Sequence, residues 1–295
     1  MLLRAMLQGW FEPLRRFFLH NRFGRALALL TLPLALLALA LWEPDRLPPI
    51  FDAQVHYNED AWMLVSPKAI LGTARKYNVP QMLVSSTPNE GTFRLAERDP
   101  ERVIPMFVPY GSSSERDTWF ENHAMMQIME TELARGRYRG IGEFHLFDGQ
   151  VETPVVRRMV QLAAEHRLVL SAHSDANAVR QLFTMNPAIR ILWAHAGMTT
   201  TPATIGEMLG RYPNLWAELS HRTDVAPRGE LAQEWHELLL RHPDRFLLGS
   251  GTYSNEYWHQ FRITLDRYRD WLQTLPPEVA ERIAYHNGAE LFAAR

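Results

Sequence analysis

Short apolar runs alternate with amphipathic stretches along most of this chain, and this alternation limits the folds that it can adopt. After residue 49, eight runs are short, rich in apolar residues and bounded by turn residues, as expected of buried strands. The predicted strands are Ile50–Val55, Gln81–Ser85, Val103–Pro109, Gly140–Phe144, Leu168–Ala172, Ile189–Ala194, Leu215–Leu219 and Arg245–Gly249.

Helical patterns separate these strands. They are predicted at about 66–77, 117–135, 153–166, 175–185, 202–211, 230–241, 254–274 and 277–292. Strand–helix alternation implies parallel strands, and eight such units predict an α/β fold that closes as a (β/α)8 TIM barrel. A doubly wound open sheet is the alternative, but it would place its ligand site at one crevice, whereas polar residues here follow at least five strands.

Side chains that bind metals or transfer protons stand where several predicted strands end. Gln54 and His56 fall at the first strand, Glu143 at the fourth, His173 at the fifth and His195 at the sixth. The carboxyl ends of barrel strands meet at one face, so these residues are expected to converge there. Burying several polar groups together costs free energy unless they share a partner such as a cation. The pattern therefore predicts a site at the mouth of the barrel.

The motifs that carry these residues resemble one known family. Their order is DAQVH, RGIGEFH, LSAHSD, LWAHAGM, WAELSHR, RFLLGSGTY and a C-terminal IAYHNGAELF. This order is similar to the amidohydrolase superfamily, in its amidohydrolase-related branch of metal-dependent hydrolases and decarboxylases, over about residues 50 to 292. The resemblance implies a metal site built from a His-x-His pair on strand one, a His on strand five and an Asp on strand eight. It also implies an assisting His on strand six and a bridging Glu or carbamylated Lys on strand four.

Four residues match these positions. His56 corresponds to the second His of the pair, Glu143 to the strand-four group, His173 to the strand-five ligand and His195 to the strand-six histidine. The resemblance thus implies a metal set of His56, Glu143, His173 and His195, with Gln54 beside it, and His195 and Glu143 as the catalytic pair.

Two positions depart from the family pattern. Gln54 stands where the first His belongs, and Gly251 stands where the metal-binding Asp belongs. An amide oxygen is a poor ligand for zinc, and glycine offers no side chain. Because the strand-eight Asp of the family also accepts a proton from the activated water, we expect weak or altered activity. Asp224 and Glu256, in later loops, are candidate substitutes for it.

The cofactor expected on this basis is one divalent metal ion, with zinc preferred and manganese as the alternative, since imidazole and carboxylate suit both. Four residues near the same strand ends are predicted to contact substrate: His145, His221, Arg222 and Tyr253.

The function predicted is a metal-dependent hydrolase that acts on a small amide, ester or lactone. One alternative is a catalytically inactive binding protein on the same fold, favoured by Gln54 and Gly251. A second alternative is a TatD-type nuclease, whose strand-four Gly-Glu motif is similar. Oligomeric state is left open.

The first 49 residues have a different composition. Residues 26–42 form an uncharged run of seventeen residues, preceded by five arginines within 1–25. This pattern predicts a basic amphipathic segment over 1–25, a transmembrane signal-anchor over 26–42, a linker over 43–49 and the barrel over 50–295. By the positive-inside rule, the protein would be single-pass in the cytoplasmic membrane, with the barrel on the periplasmic side.

Three alternatives to a retained anchor are open. Ala38-Leu39-Ala40 has the form of a signal-peptide cleavage site, which would give an exported, cleaved protein, and Arg15-Arg16 resembles a twin-arginine export motif. A buried soluble helix is the third.

Charge and cysteine content exclude other classes. Residues 1–42 carry a net charge of +4 and the remainder −6, so the body lacks the basic footprint of a nucleic-acid-binding protein, and a small-molecule substrate is expected. The chain has no cysteine, which excludes disulfides and thiolate metal ligands.

Overall fold

A computed structural model describes residues 47–293 and contains one eight-stranded parallel sheet. The strands follow one another in sequence order, from β1 to β8. They are β1 (Phe51–His56), β2 (Gln81–Ser85), β3 (Val103–Phe107), β4 (Gly140–His145), β5 (Val169–His173), β6 (Arg190–Trp193), β7 (Leu215–Glu218) and β8 (Phe246–Leu247). This order confirms the barrel and excludes the doubly wound sheet, whose strand order must reverse.

Helices connect successive strands and lie around the sheet. They are α1 (Glu59–Trp62), α2 (Pro67–Lys76), α3 (Glu90–Ala96), α4 (Ala124–Ala134), α5 (Pro154–Glu165), α6 (Ala176–Met185), α7 (Pro202–Arg211), α8 (Gln233–Arg241), α9 (Asn255–Leu272), α10 (Pro277–Glu281) and α11 (Asn287–Leu291). A single π turn, Arg282–His286, joins α10 to α11.

Hydroxyl side chains begin several of these helices. Ser66 Oγ accepts a hydrogen bond from the amide of Ala69, and Thr201 Oγ1 accepts one from the amide of Thr204. In both helices a proline occupies the first position, where its missing N–H costs nothing. These caps fix where the helices start and therefore the lengths of the loops above the barrel.

The barrel closes through a short seam between β8 and β1. Asp52 forms a parallel bridge with Leu248, and the amide of Ala53 donates to the Leu248 carbonyl at 2.8 Å. The Asp52 carboxylate accepts from the amide of Ser250 at 2.8 Å, and the amide of Gly251 donates to the Gln54 carbonyl at 2.8 Å. The segment after β8 is thereby held against the end of β1, beside the predicted site.

Apolar side chains fill the barrel interior and the space between the strands and the helices. The interior cluster is continuous with the C-terminal helix through the stacked rings of Phe51 and Phe292, whose centroids are 6.0 Å apart. It comprises Phe51, Ala53, Leu83, Ile104, Met106, Val169, Leu192, Leu247, Leu291 and Phe292. This packing blocks one end of the barrel, so a ligand has access from the end where the strands terminate.

Two strands carry register shifts close to the predicted site. The pairing of β1 with β2 shifts between Asp52 and Val55, and the pairing of β4 with β5 shifts between Gly142 and Phe144. Such irregularities redirect side chains that strict alternation would send elsewhere. Gln54 and Glu143 lie within these shifts.

The predicted location in the cytoplasmic membrane, with the barrel on the periplasmic side, is contradicted by the described part of the chain. Within residues 47–293, no helix has the length and apolar character needed to cross a bilayer. The predicted segments 1–25 and 26–42, and most of the linker, lie outside the described residues.

Candidate active site

The carboxylate of Glu143 lies at the centre of the site, at the end of β4. Its Oε1 is 2.7 Å from His173 Nδ1 and 3.0 Å from His195 Nε2. Its Oε2 is 3.1 Å from His56 Nε2 and 2.6 Å from the amide nitrogen of Gln54. One buried acid thus contacts three imidazoles, two at the ends of β1 and β5 and one just after β6, so the predicted convergence occurs.

Each of these side chains is placed by the end of its strand. His56, Glu143 and His173 belong to the last residues of β1, β4 and β5. His195 follows β6 in a tight turn and has left-handed backbone angles, φ 54° and ψ 24°. Non-glycine residues in this region cost about 1–3 kcal/mol, and such conformations persist only where the surrounding contacts hold them.

Opposite charges stabilise each other at the centre. Burial alone would raise the pKa of Glu143, but the His195 charge and the hydrogen bonds from His173, His195 and His56 hold it well below its ordinary value. Burial alone would lower the pKa of His195, but Glu143 and Glu218 raise it to about 10. In this arrangement the raised pKa favours the imidazolium form of His195 at neutral pH, which can donate a proton.

The donor set fits a divalent metal ion. Glu143, His173 and His195 each offer one ligand atom, and these atoms lie within 4.8 Å of one another. Two imidazole nitrogens and a carboxylate oxygen are donors that zinc prefers, and catalytic zinc sites use three protein ligands. A cation among them would take the place of the proton on His195 Nε2.

A cavity of about 1190 Å³ opens above these residues. His56, Glu143, His173 and His195 face it, together with hydroxyl groups from the loops after β3 and β6, among them Ser112, Ser113, Thr199, Thr200 and Thr201. This volume suits a small organic molecule.

Residues 124–293 match the model of the family described as amidohydrolase. The chain belongs to the amidohydrolase family. The match covers more than half of the sequence and includes β4 to β8, with Glu143, His173 and His195. The resemblance seen in the sequence is confirmed, as is the prediction that the protein is an enzyme of this family.

Several solved barrels are similar to this amidohydrolase. An uncharacterized TIM-barrel protein from Bordetella bronchiseptica superposes with a TM-score of 0.56 at 16% identity, covering 83% of this chain and 98% of its own. The probable 2-pyrone-4,6-dicarboxylic acid hydrolase of Acinetobacter baumannii, with citric acid bound, gives 0.56 at 11% identity, covering 83% and 99%. A 2,6-dihydroxybenzoate decarboxylase complexed with 2,6-dihydroxybenzoate gives 0.53 at 14% identity, covering 84% and 100%.

At these identities, the likeness establishes the shared barrel fold alone. Comparison with curated proteins finds no match.

Gln54 faces the centre of the site through its amide nitrogen. Its amide nitrogen points at Glu143 Oε2, at 2.6 Å, and lies 3.4 Å from His56 Nε2. An amide side chain binds a cation through its oxygen and donates hydrogen bonds through its nitrogen. In this arrangement the Gln54 nitrogen donates to Glu143 and orients its carboxylate.

The His221 ring occupies the space that a side chain at position 251 would take. Gly251 has a φ of +64°, and a Cβ built there would lie 2.1 Å from His221 Nε2. His221 Nε2 is 3.2 Å from the Gly251 carbonyl oxygen and donates a hydrogen bond to it. The lack of a side chain at position 251 therefore leaves room for a histidine from the loop after β7. Burial and the His195 charge lower the pKa of His221.

The other residues predicted to contact substrate lie at the cavity, with different surroundings. His145 stacks on the His173 ring with centroids 4.0 Å apart, and burial and the His173 charge lower its pKa to about 3, so its ring is uncharged at neutral pH. Tyr253 is half exposed at the rim, against the ring of His221.

Arg222 makes contacts that the sequence did not indicate. Its five N–H donors all meet protein acceptors: the carbonyls of His195, Ala196 and Thr200, and both oxygens of Asp224. A contact between Arg222 and substrate would require one of these bonds to break. Asp224, which the sequence suggested as a substitute base, forms an ion pair with Arg222.

Two further residues of the site were missed in the sequence. Glu218, at the end of β7, is fully buried, and its Oε2 lies 3.4 Å from His195 Nδ1. Ser220 Oγ lies 2.9 Å from the same nitrogen. A carboxylate inside the apolar strand Leu215–Glu218 was the available signal, because an acid buried in a strand needs a partner.

Proposed function

We propose that this protein is a metal-dependent hydrolase of the amidohydrolase type that acts on a small amide, ester or lactone. The observation that carries the proposal is the contact of one buried carboxylate, Glu143, with the imidazoles of His56, His173 and His195 beneath an open cavity. Such a concentration of buried polar groups at the mouth of a barrel is typical of a catalytic site.

Glu143, His173 and His195 would hold the ion, with His56 next to them. Zinc is the ion that these donors favour, and manganese is the alternative. The ion, when bound, would supply Lewis acidity toward a carbonyl oxygen and would make water more acidic.

The residues around the ion would orient the substrate and manage protons. His195 holds protons on both ring nitrogens in the present arrangement, since Nδ1 faces the carbonyl of Ser220 and Nε2 faces Glu143. His145 and His221, both with lowered pKa, would offer uncharged hydrogen-bonding groups to the substrate. Neither repels a cation in the site.

One observation favours the alternative of a binding protein without catalysis. The strand-eight carboxylate of the family is replaced by Gly251, and the His221 ring fills its space. A general base typically contributes about 10²- to 10⁴-fold in rate, so its loss weakens hydrolysis unless another group replaces it.

Hydrolysis of simple substrates by the zinc-loaded full-length protein tests the proposal. Aryl esters, lactones and N-acyl amides would be assayed with the wild type, Glu143→Gln and Glu234→Gln, whose carboxylate is exposed on α8. We expect kcat/KM on at least one class to fall about 10²- to 10⁴-fold in Glu143→Gln and to be unchanged in Glu234→Gln. Zinc binding without turnover of any class would support the binding protein instead.

A further inference from the structure

The end of β7 places a buried carboxylate directly behind the histidine of the site. Glu218 is fully buried, and among residues 47–293 no lysine or arginine forms an ion pair with it. Its charged neighbour is His195, whose Nδ1 is 3.4 Å from Glu218 Oε2. Burial of a carboxylate is costly, so its contacts with His195 and its neighbours have to compensate its desolvation.

The contacts of Glu218 converge on His195 and on the residue that touches it. Glu218 Oε2 accepts hydrogen bonds from the backbone amide of His195 at 3.1 Å and from Ser220 Oγ at 2.9 Å. Glu218 Oε1 accepts one from the backbone amide of Ser220. One side chain therefore holds the main chain of His195 and the serine that borders its ring.

The same contacts determine which ring nitrogen faces the site. His195 Nδ1 lies 3.1 Å from the carbonyl oxygen of Ser220, which can only accept a hydrogen bond, so Nδ1 carries a proton. Nε2 is left to face Glu143 Oε1, at 3.0 Å. In metal sites, partners behind a ligating histidine fix its tautomer and orientation in this way.

The backbone of His195 requires such support. His195 and Ala196 have φ values of 54° and 45°, in the left-handed region that non-glycine residues rarely adopt. The Glu218 carboxylate holds the amide of His195 from one side, and the Arg222 guanidinium bonds the carbonyls of His195 and Ala196 from the other.

We propose that Glu218 is a positioning residue of the active site, which fixes the tautomer and orientation of His195 so that Nε2 faces Glu143 and a bound divalent cation. The metal-binding part of this inference rests on the proposed function. The orientation of His195 stands on the hydrogen bonds alone.

The substitution Glu218→Gln tests this role with little change in shape. Each carboxylate oxygen accepts from a backbone amide, so an amide nitrogen in place of either oxygen would set N–H against N–H. Ser220→Ala is a milder second variant, which removes only the hydroxyl between Glu218 and the His195 ring. Glu234→Gln, on the exposed face of α8, is the matched control.

Zinc affinity of the full-length protein is the first measurement, by competition with a chromophoric chelator. We expect the Kd for zinc to rise about 10- to 100-fold in Glu218→Gln, several-fold in Ser220→Ala and not at all in Glu234→Gln. Equal affinity in the wild type and in folded Glu218→Gln and Ser220→Ala would overturn the inference.

Long-range ¹H–¹⁵N NMR of the histidine rings without metal is the second measurement. We expect a protected proton on Nδ1 of His195 in the wild type and its loss to exchange with water in Glu218→Gln or Ser220→Ala. The same His195 spectrum in all of these proteins would overturn the inference. Failure of the wild type to bind zinc would count against the proposed function, and the NMR result would then decide the role of Glu218 separately.

Discussion

At the scale of single residues, the contact between Gly251 and the His221 ring shows why the Asp of the family cannot be restored at position 251 without a change at residue 221. The family carboxylate is absent at 251, and its space is taken by a ring from another loop. Replacing Gly251 with Asp therefore adds a side chain where the ring of His221 already lies, on a backbone with φ +64°.

We predict that Gly251→Asp will be less stable than a matched control at an equally left-handed glycine. Gly136 has a φ of +67° and open space around it, so Gly136→Asp bears the backbone cost without the collision. The collision should make Gly251→Asp worse by about 1–3 kcal/mol in the free energy of unfolding, measured by urea denaturation.

Removal of the ring should reverse this difference. In Gly251→Asp with His221→Gly, the new carboxylate has room, and the stability should approach that of Gly136→Asp. Equal losses of stability in Gly251→Asp and Gly136→Asp would show that His221 does not fill this space.

The sequence predicted which residues meet but not how they are held. His56, His173 and His195 were identified because each ends or follows an apolar run, and strand ends of a barrel converge. Glu143 lies within its predicted strand and was identified by its match to the strand-four position of the family. Glu218 also lies within a predicted strand, and it was missed because it matches no position of the family pattern. The packing of the His221 ring against Gly251 depends on backbone angles and on the path of a loop, which residue types alone do not determine.

At the scale of elements, the loop after β7 is tied to the loop after β6 and to α8 by the pair Arg222–Asp224. Asp224 Oδ2 is 2.7 Å from Arg222 Nη2 and accepts from Trp235 Nε1 at 2.9 Å. Arg222 in turn bonds the carbonyls that follow β6. One carboxylate thus links two loops above the barrel and one helix.

We predict a pH-dependent loss of stability in Asp224→Asn. Burial raises the pKa of Asp224, but hydrogen bonds from Arg222 and Trp235 outweigh it and hold the pKa below its ordinary value of 3.8. The ionised acid therefore stabilises the fold above that value, and the contribution disappears as the pH falls through the lowered pKa.

Because Asp224 is partly exposed, the loss at pH 7 should be about 1 kcal/mol in the free energy of unfolding, shrinking toward zero at a pH well below 3.8. Asp270→Asn, on the exposed face of α9, is the control and should change little. A loss that is the same at both pH values would contradict the role of the charge.

The strand pattern was the most predictable part of the fold, and short helices were the least. All eight strands lie within about two residues of their predicted bounds, because buried parallel strands are continuous apolar runs. Helix α3 was not predicted: it spans seven residues, Glu90–Ala96, which is too short for an apolar period to repeat clearly. Helix α1, with four residues, was missed for the same reason.

At the scale of the whole molecule, the site joins strands from across the barrel, so a bound ion should stabilise the entire fold. An ion that binds only the folded state at 100 times its Kd adds about 2.7 kcal/mol. For a domain of this size, we expect zinc to raise the Tm of the wild type by about 5–10 °C. His173→Ala should show no rise.

Magnesium at the same concentration is the control in this thermal experiment. It prefers oxygen ligands and should have little effect on a site rich in imidazole. An equal rise in the wild type and His173→Ala would place the zinc elsewhere on the molecule.

Zinc content of the full-length protein after dialysis, measured by mass spectrometry of the metal, tests the metal site itself. We expect close to one zinc ion per chain in the wild type and in His166→Ala, whose imidazole is exposed after α5, and almost none in His173→Ala. A wild type without zinc, or a His173→Ala protein that retains it, would contradict a metal site formed by Glu143, His173 and His195.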